Sequence, residues 1–473
     1  MKKLIKNGLI VTEKESIIAD LLISGEKITA IAPGLIPDAK TEVVDAEGLY
    51  VLPGGVDVHV HLDLPMFGTV SSDDHYTGTK AAAFGGTTTV IDFISQVSDN
   101  LAHNFQNLRQ KAAEKAAVDF GFHANLSHLT PEVEKQIPEL VKLGVTSVKV
   151  FAAYNNRLRL QDGEIFRVMR IAREAGILTM IHAENGDLIE MLTDEAIKAG
   201  HTSPIWHAKT RPAWGAVEAV CRGAALSAVA DAPLYLVHMN AGGEVDQLEY
   251  ARSKGLKVMG ETCPQYLLFT DDKLEEKDAA KWVCSPPLRK REDQQRLWQG
   301  LQNGIIQTIA TDHCPFFYNG REAILYEGVS IAIPGKELGK GDFTRIPNGL
   351  PGVGDRLPVL YTEMVSSGQF SLKEFVKLNC SNPAKIFGLY PQKGALAVGS
   401  DADIVLWDPN KKIKYGTEYS QQRTDYNLYE GRRLTGFPIL VFSRGNLIMR
   451  EGEWFGKPGQ GRYLPRQQFT VQV

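Results

Sequence analysis

Gly55-Val-Asp-Val-His59-Val-His61 is a short β-branched apolar run that ends in two histidines. Four other stretches follow the same plan: Val145-Thr-Ser-Val-Lys149, Leu178-Thr-Met-Ile-His182, Leu234-Tyr-Leu-Val-His238 and Ile309-Ala-Thr-Asp312. Each sets a metal-competent side chain at the end of an apolar run. Such runs read as strands buried on both faces, the mark of a parallel sheet. In parallel-strand barrels the chemistry collects at the C-terminal strand ends. The five stretches therefore predict a fold and a site together.

Working outward, strands are expected at 51–61, 87–92, 119–123, 145–151, 178–182, 234–238, 256–262 and 305–312. Helical patterns lie between several of them. One is the segment 163–176, where apolar residues recur at three- and four-residue spacing. Eight β–α repeats predict an α/β fold, a closed (β/α)8 TIM barrel over residues 53–395. An open doubly wound sheet is the alternative, but no G-x-G-x-x-G follows the first strand. Residues 1–52 and 396–457 read instead as short strands separated by turns such as Asn7-Gly8 and Glu47-Gly48. The two ends are expected to meet in one small β-sandwich, with 458–473 as a C-terminal tail. Residues 313–347 form a long connection rich in glycine and proline, directly after Asp312 and with an apolar patch at Val329-Ser-Ile-Ala-Ile. Connections of this length in a compact barrel are often functional, and a lid and a subunit contact are both open readings.

Composition excludes several classes. A hydrophobic fraction of 43%, a charged fraction of 23% and a net charge of −4 describe an ordinary globular protein without an electrostatic case for nucleic acid. The first residues lack the apolar core of a signal peptide, and no run approaches a membrane span, so the expectation is a cytoplasmic protein with no membrane partner. Five scattered cysteines form no C-x-x-C pair, which argues against a disulfide framework or a thiolate zinc site. They are expected to be small buried side chains, Cys314 included.

His59 and His61, two residues apart on a strand, point to one side and suit Zn²⁺ or a similar ion, with Asp57 available to orient a ring. Lys149 at an apolar strand end is ordinarily a snorkelling residue. Its uncharged amine could instead take up CO₂ as a carbamate able to bridge two metal ions. His182 and His238 close equivalent strands, and Asp312 could ligate, act as a base, or do both. Of the other seven histidines, His123 and His313 are the expected exceptions to a structural or exposed role.

These motifs, together with Pro53-Gly-Gly-Val-Asp, Gly85-Gly-Thr-Thr-Thr, Lys149-Val-Phe-Ala-Ala-Tyr154, His182-Ala-Glu-Asn-Gly, Glu261-Thr-Cys-Pro-Gln-Tyr, Ser285-Pro-Pro-Leu-Arg, Thr311-Asp-His-Cys-Pro-Phe and Ile346-Pro-Asn-Gly, resemble the dihydropyrimidinase/D-hydantoinase group of the amidohydrolase superfamily. The resemblance covers nearly the whole chain. It implies a hydrolase that opens a cyclic diamide, dihydrouracil, dihydrothymine or a 5-monosubstituted hydantoin, to an N-carbamoyl amino acid. It implies two Zn²⁺ ions per subunit, with Mn²⁺ or Co²⁺ as substitutes, held by His59, His61, Lys149, His182, His238 and Asp312. Lys149 would be N6-carboxylated and bridge both ions. Asp312 would move the proton from the attacking water to the leaving nitrogen, and Tyr154 would donate to the developing oxyanion. Ser285 and Asn348 would hold the ring edge, while Leu64, Phe67 and Leu158 would line the pocket for the exocyclic group. A homotetramer or homodimer is also implied.

Dihydroorotases place an arginine two residues after the H-x-H, where this chain has Asp63, which would repel a substrate carboxylate. An allantoinase-type ureide hydrolase fits the Tyr154 and Ser285 motifs less well. A non-catalytic scaffold of the collapsin response mediator type would lack metal ligands that are all present here. Two departures stand out: close hydantoinases often carry an aromatic near Leu158, and residues 318–336 read as an insertion.

Overall fold

The computed structural model describes residues 2–66, 68–320, 323–326 and 329–470. Its centre is an eight-stranded parallel sheet: β1 (Gly55–Asp57), β2 (Thr87–Ile94), β3 (Asp119–Asn125), β4 (Ser147–Phe151), β5 (Leu178–His182), β6 (Leu234–Leu236), β7 (Val258–Thr262) and β8 (Thr308–Ile309). The strands pair in chain order, with helices between them, as a (β/α)8 barrel requires. The helix Asp162–Glu174 shows why: Ile165, Val168, Met169 and Ala172 fall on one face and are buried against the sheet.

Two short strands, β1 and β8, leave a seam that other groups close. Val60 bridges His313 in parallel, with the His61 N–H donating to the His313 carbonyl at 2.7 Å. One turn below, the buried Arg356 donates through Nη1 to the carbonyls of Val56 (3.1 Å) and Ile309 (2.8 Å), and through Nη2 to Thr87 Oγ1 (3.1 Å). Its Nε lies 3.8 Å from the Asp57 carboxylate.

Strand alternation sorts the side chains. Val56, Val58, Ile91, Phe93, Leu178, Met180, Tyr235, Val237 and Met259 pack together as the barrel interior. Val148, Val150, Ile181, Leu234 and Leu236 face the helices in a second core. Lys149 and His182 share the inward phase, which sends them to the barrel's upper mouth.

Both chain ends build one continuous nine-stranded mixed sheet. Tyr50–Pro53 pairs antiparallel with Ile404–Lys414, so the N-terminal strands join the C-terminal ones at that ladder. Ile5, Leu21, Ile23, Ile404, Leu406 and Phe442 form this sheet's own core. The final residues then run beneath the barrel. The Arg462 carbonyl accepts from Phe120 N, Arg466 N donates to the Gly144 carbonyl, and Phe469 N donates to the Gly176 carbonyl. Those glycines adopt φ of +76° and +67°, and a Cβ on Gly144 would stand 2.5 Å from Pro465 Cα. Arg466 points up into the barrel, where Nη2 donates to the Phe122 carbonyl and to Ser147 Oγ.

The 313–347 connection includes two described strands. Ala323–Tyr326 and Val329–Ala332 pair as an antiparallel hairpin. No helix among the described residues is long and apolar enough to cross a membrane.

Candidate metal centre and active-site pocket

At the upper mouth of the barrel, His59 Nε2 and His61 Nε2 each lie 3.2 Å from Asp312 Oδ1. Ligands about 2.1 Å from one tetrahedral ion stand about 3.4 Å apart, so this donor set suits a single borderline ion. Among the described residues these three are the group whose ligand atoms converge in this way. His182 Nδ1 and His238 Nε2 converge separately at 2.9 Å, and Lys149 Nζ lies 3.0 Å from His59 Nε2.

The backbone explains how residues from different strands meet. His238 follows Val237, which faces the interior, so simple alternation would turn the histidine away. A φ of +40° breaks that alternation. Asp312 and Tyr154 also adopt positive φ, +51° and +66°. Three of the residues expected at the site thus occupy a region that non-glycine residues rarely enter, and such outliers cluster where function over-determines them. Lys149 departs from expectation in position. It sits in the middle of β4 and not at its end, so its reach to the mouth comes from inward phase and a long stem.

Charge and hydrogen bonding set the state of each group. Burial, followed by the neighbouring Lys149, drives His59 well below the usual imidazole range, leaving Nε2 a lone pair. His59 Nδ1 donates in a very short contact to Glu261 Oε1. That carboxylate also accepts from Tyr235 OH (2.8 Å) and His238 N (3.1 Å). His182 Nε2 lies 2.9 Å from Glu184 Oε2, so that nitrogen donates and Nδ1 faces His238. A carboxylate on the far nitrogen is the usual support of a metal-binding histidine. Burial alone would raise Asp312, but its charged surroundings, the Lys149 ammonium among them, hold it at about 2. Lys149, buried among these groups and lying 4.4 Å from the centre of the Phe93 ring, is lowered to about 8 by burial. Among the described residues it forms no ion pair with a carboxylate.

Glu261 and Glu184 are not among the residues that strand ends alone single out, although Glu261 lies near the end of an apolar strand as the histidines do. Two other expectations are corrected. Asp57 does not orient the His59 ring: it accepts from Thr311 Oγ1 (2.7 Å), Thr311 N and His59 N, and Glu261 performs the ring role. Asp63 does not face the pocket, because its carboxylate turns to His75 Nδ1 (3.0 Å), Lys111 and Lys115. It therefore cannot repel a bound carboxylate. His123 lies one layer below the site, with Nε2 donating to the Val58 carbonyl (2.9 Å). His313 donates to Asp73 (3.1 Å) and accepts from Gly352 N. Cys221 is exposed while the other four cysteines are buried, and burial raises the Cys314 thiol, which disfavours the thiolate that a nucleophile needs.

Above this floor opens a cavity of about 350 Å³, lined by His61, Lys149, His182, His238 and Asp312 below and by Leu64, Met66, Phe151, Tyr154 and Leu158 at the side. Ser285 and Asn348 complete it, joined by a bond of 3.0 Å from Asn348 Nδ2 to Ser285 Oγ. Phe67 lies outside the described residues. Lys336 ties the two edge segments from behind, donating to the carbonyls of Val283 (2.8 Å) and Pro347 (3.1 Å).

A model of the amidohydrolase family matches residues 50–447. A D-hydantoinase of Geobacillus stearothermophilus is 44% identical, over 99% of this chain and 97% of that protein. One of Streptomyces coelicolor is 43% identical, over 98% of each. The crystal structure of a dihydropyrimidinase from Brevibacillus agri superposes with a TM-score of 0.95 at 45% identity, covering 100% of both chains. The chain belongs to the D-hydantoinase/dihydropyrimidinase group of the amidohydrolase family. Members of that family carry a binuclear metal centre, and the His59, His61 and Asp312 cluster stands where one ion of such a centre fits.

Proposed function

We propose that this chain opens the ring amide bond of dihydropyrimidines, or of 5-monosubstituted hydantoins, to give N-carbamoyl amino acids. The observation that carries the proposal is the convergence of His59, His61 and Asp312 beneath a closed-sided cavity in a chain of this family. His59, His61 and Asp312 would hold one divalent ion, and His182 and His238 the other. Lys149, carboxylated on its amine, would lie between them. The donor set of imidazole nitrogen and carboxylate oxygen suits zinc, with manganese or cobalt as substitutes. When bound, the ions polarise a ring carbonyl and acidify the attacking water.

The chain's own groups do the rest. Asp312, kept ionised by its charged surroundings, accepts the proton of the attacking water and delivers it to the leaving ring nitrogen. Tyr154, whose hydroxyl burial keeps protonated, donates to the oxygen on which charge develops. Ser285 and Asn348 hold the imide-type edge of the ring. Leu64 and Leu158 receive the exocyclic group. The same reading carries a cytoplasmic location and a homotetramer or homodimer, which fractionation and sedimentation would report.

The test is hydrolysis of dihydrouracil and of D- and L-phenylhydantoin, with and without chelation. Activity that survives complete metal removal overturns the mechanism. A Lys149→Ala variant that kept both metals and full rate would overturn the carbamate alone.

A further inference from the structure

The loop after β4 carries two arginines in unlike states. Arg159 pairs with Asp187 and donates to Asn155 Oδ1 at 2.9 Å, while Asn155 holds Glu190 at 2.7 Å. Arg157, two residues earlier, is exposed, and among the described residues its guanidinium forms no ion pair or side-chain hydrogen bond. It nevertheless lines the catalytic cavity and a second one of about 300 Å³, which share Tyr154, Arg157 and Asn348. Of the carboxylates of that second cavity, Glu184 is engaged by His182 and Glu190 by Asn155, and the exposed Asp194 forms no ion pair with Arg157.

The charges of the catalytic cavity are thus divided between two levels. Lys149 and Asp312 lie at the floor, where the ring reacts. Above them the wall is apolar: Leu64, Pro65, Met66, Val97, Phe151 and Leu158. At the outer level stands one exposed positive charge, Arg157. A ring substituent directed away from the floor crosses the apolar wall first and then meets a guanidinium, whose planar fork matches a carboxylate. Methylenes would cover the wall, and a terminal carboxylate would find the partner that the protein itself does not supply.

Resting on the cyclic-amidase reading, we propose that Arg157 is a specificity-determining residue that makes this enzyme favour rings whose carbon substituent ends in a carboxylate. Neutral substituents remain accepted, because an exposed guanidinium left in water carries no desolvation cost. The selection is therefore a preference and not a requirement.

The experiment compares kcat/KM for 5-(2-carboxyethyl)hydantoin and for its amide, 5-(2-carbamoylethyl)hydantoin, which share length and shape. The wild-type enzyme is expected to favour the acid about threefold to fivefold at low salt, the range of a solvent-exposed ion pair. That preference should shrink toward equality at about 0.5 M salt, where such a pair is screened. In Arg157→Gln the ratio is expected near one, and in Arg157→Glu it should invert. Ratios that are equal in the wild type and in Arg157→Gln, or that ignore salt, overturn the inference while hydrolysis of both rings leaves the cyclic-amidase reading standing. Failure to hydrolyse either ring or dihydrouracil overturns that reading and this inference with it.

Discussion

Replacing Arg356 with methionine removes the clamp across the barrel seam, and the cost can be worked from its bonds. The carbonyls of Val56 and Ile309 lose a buried charged donor, and Thr87 Oγ1 loses a third bond. A buried acceptor left without its partner costs about 1–3 kcal/mol. Asp57, fully buried, also loses the opposing charge of Arg356, which counteracts the upward push of burial on its carboxyl. Its three remaining hydrogen bonds limit that loss, so a total of about 4–6 kcal/mol follows. An unfolding entropy of about 2.1 cal/mol/K per residue amounts to about 1 kcal/mol/K over the 473 residues, so the melting temperature should fall by about 4–6 °C. Calorimetry at matched metal load and protein concentration is the assay. Arg356→Lys keeps the charge but replaces the fork with one ammonium, and about half the loss is expected. A methionine variant melting within about 1 °C of the wild type would refute the assignment of the seam to this residue.

Tyr154→Phe should lower kcat about 10²–10³-fold with a much smaller change in KM, as for loss of one oxyanion donor; an undiminished kcat excludes that role. Glu261→Gln should weaken metal affinity about 10–100-fold, measured by competition with a chelator, because His59 loses its carboxylate support. Lys336→Met frees the Val283 and Pro347 carbonyls that brace Ser285 and Asn348, and an increase in KM of roughly tenfold is expected. His75 is buried, which lowers an imidazole, but Asp63 and Asp92 outweigh burial and raise it to about 9. Its pairing therefore stabilises the fold fully below pH of about 6.5, and about 3 kcal/mol is lost as pH rises through 9. A His75→Gln variant whose stability still declined over that same window would contradict this.

The barrel was legible because strands buried on both faces must be apolar, and the polar residues that end them then stand out. Where alternation alone decides, as for His182, the side chain lies where its phase puts it. Lys149 shows the limit: an inward residue in mid-strand reaches the mouth through a long stem, and position along the strand does not reveal it. His238 was found by its place after an apolar run, yet a φ of +40°, invisible in the pattern, turns its ring inward. Asp57 and Asp63 were misread for one reason. A carboxylate near two histidines in sequence can point to either side, and the partners that decide, Thr311 for one and His75 for the other, lie far along the chain or on a following helix. Glu261 shows the converse, since its partner His59 is 202 residues away in sequence. The 323–332 hairpin escaped because its strands are only four residues each, within a segment dominated by glycine and proline.

The run of residues 462–469 beneath β3, β4 and β5 bears on how the chain acquires its structure during synthesis. The underside of the barrel is capped by residues made long after β3, β4 and β5, and Lys2–Val11 belongs to a sheet completed by Ile404–Lys414 and its neighbours. Neither the lower opening nor that sheet can be finished until those later segments have been made. Until that later segment docks, Ile91, Phe93 and Met180 at the barrel centre lack Leu464, which packs in the same cluster. Contacts between such distant segments form slowly and leave apolar surface exposed meanwhile. The barrel is therefore expected to stay open beneath, with apolar surface exposed, until that segment is in place.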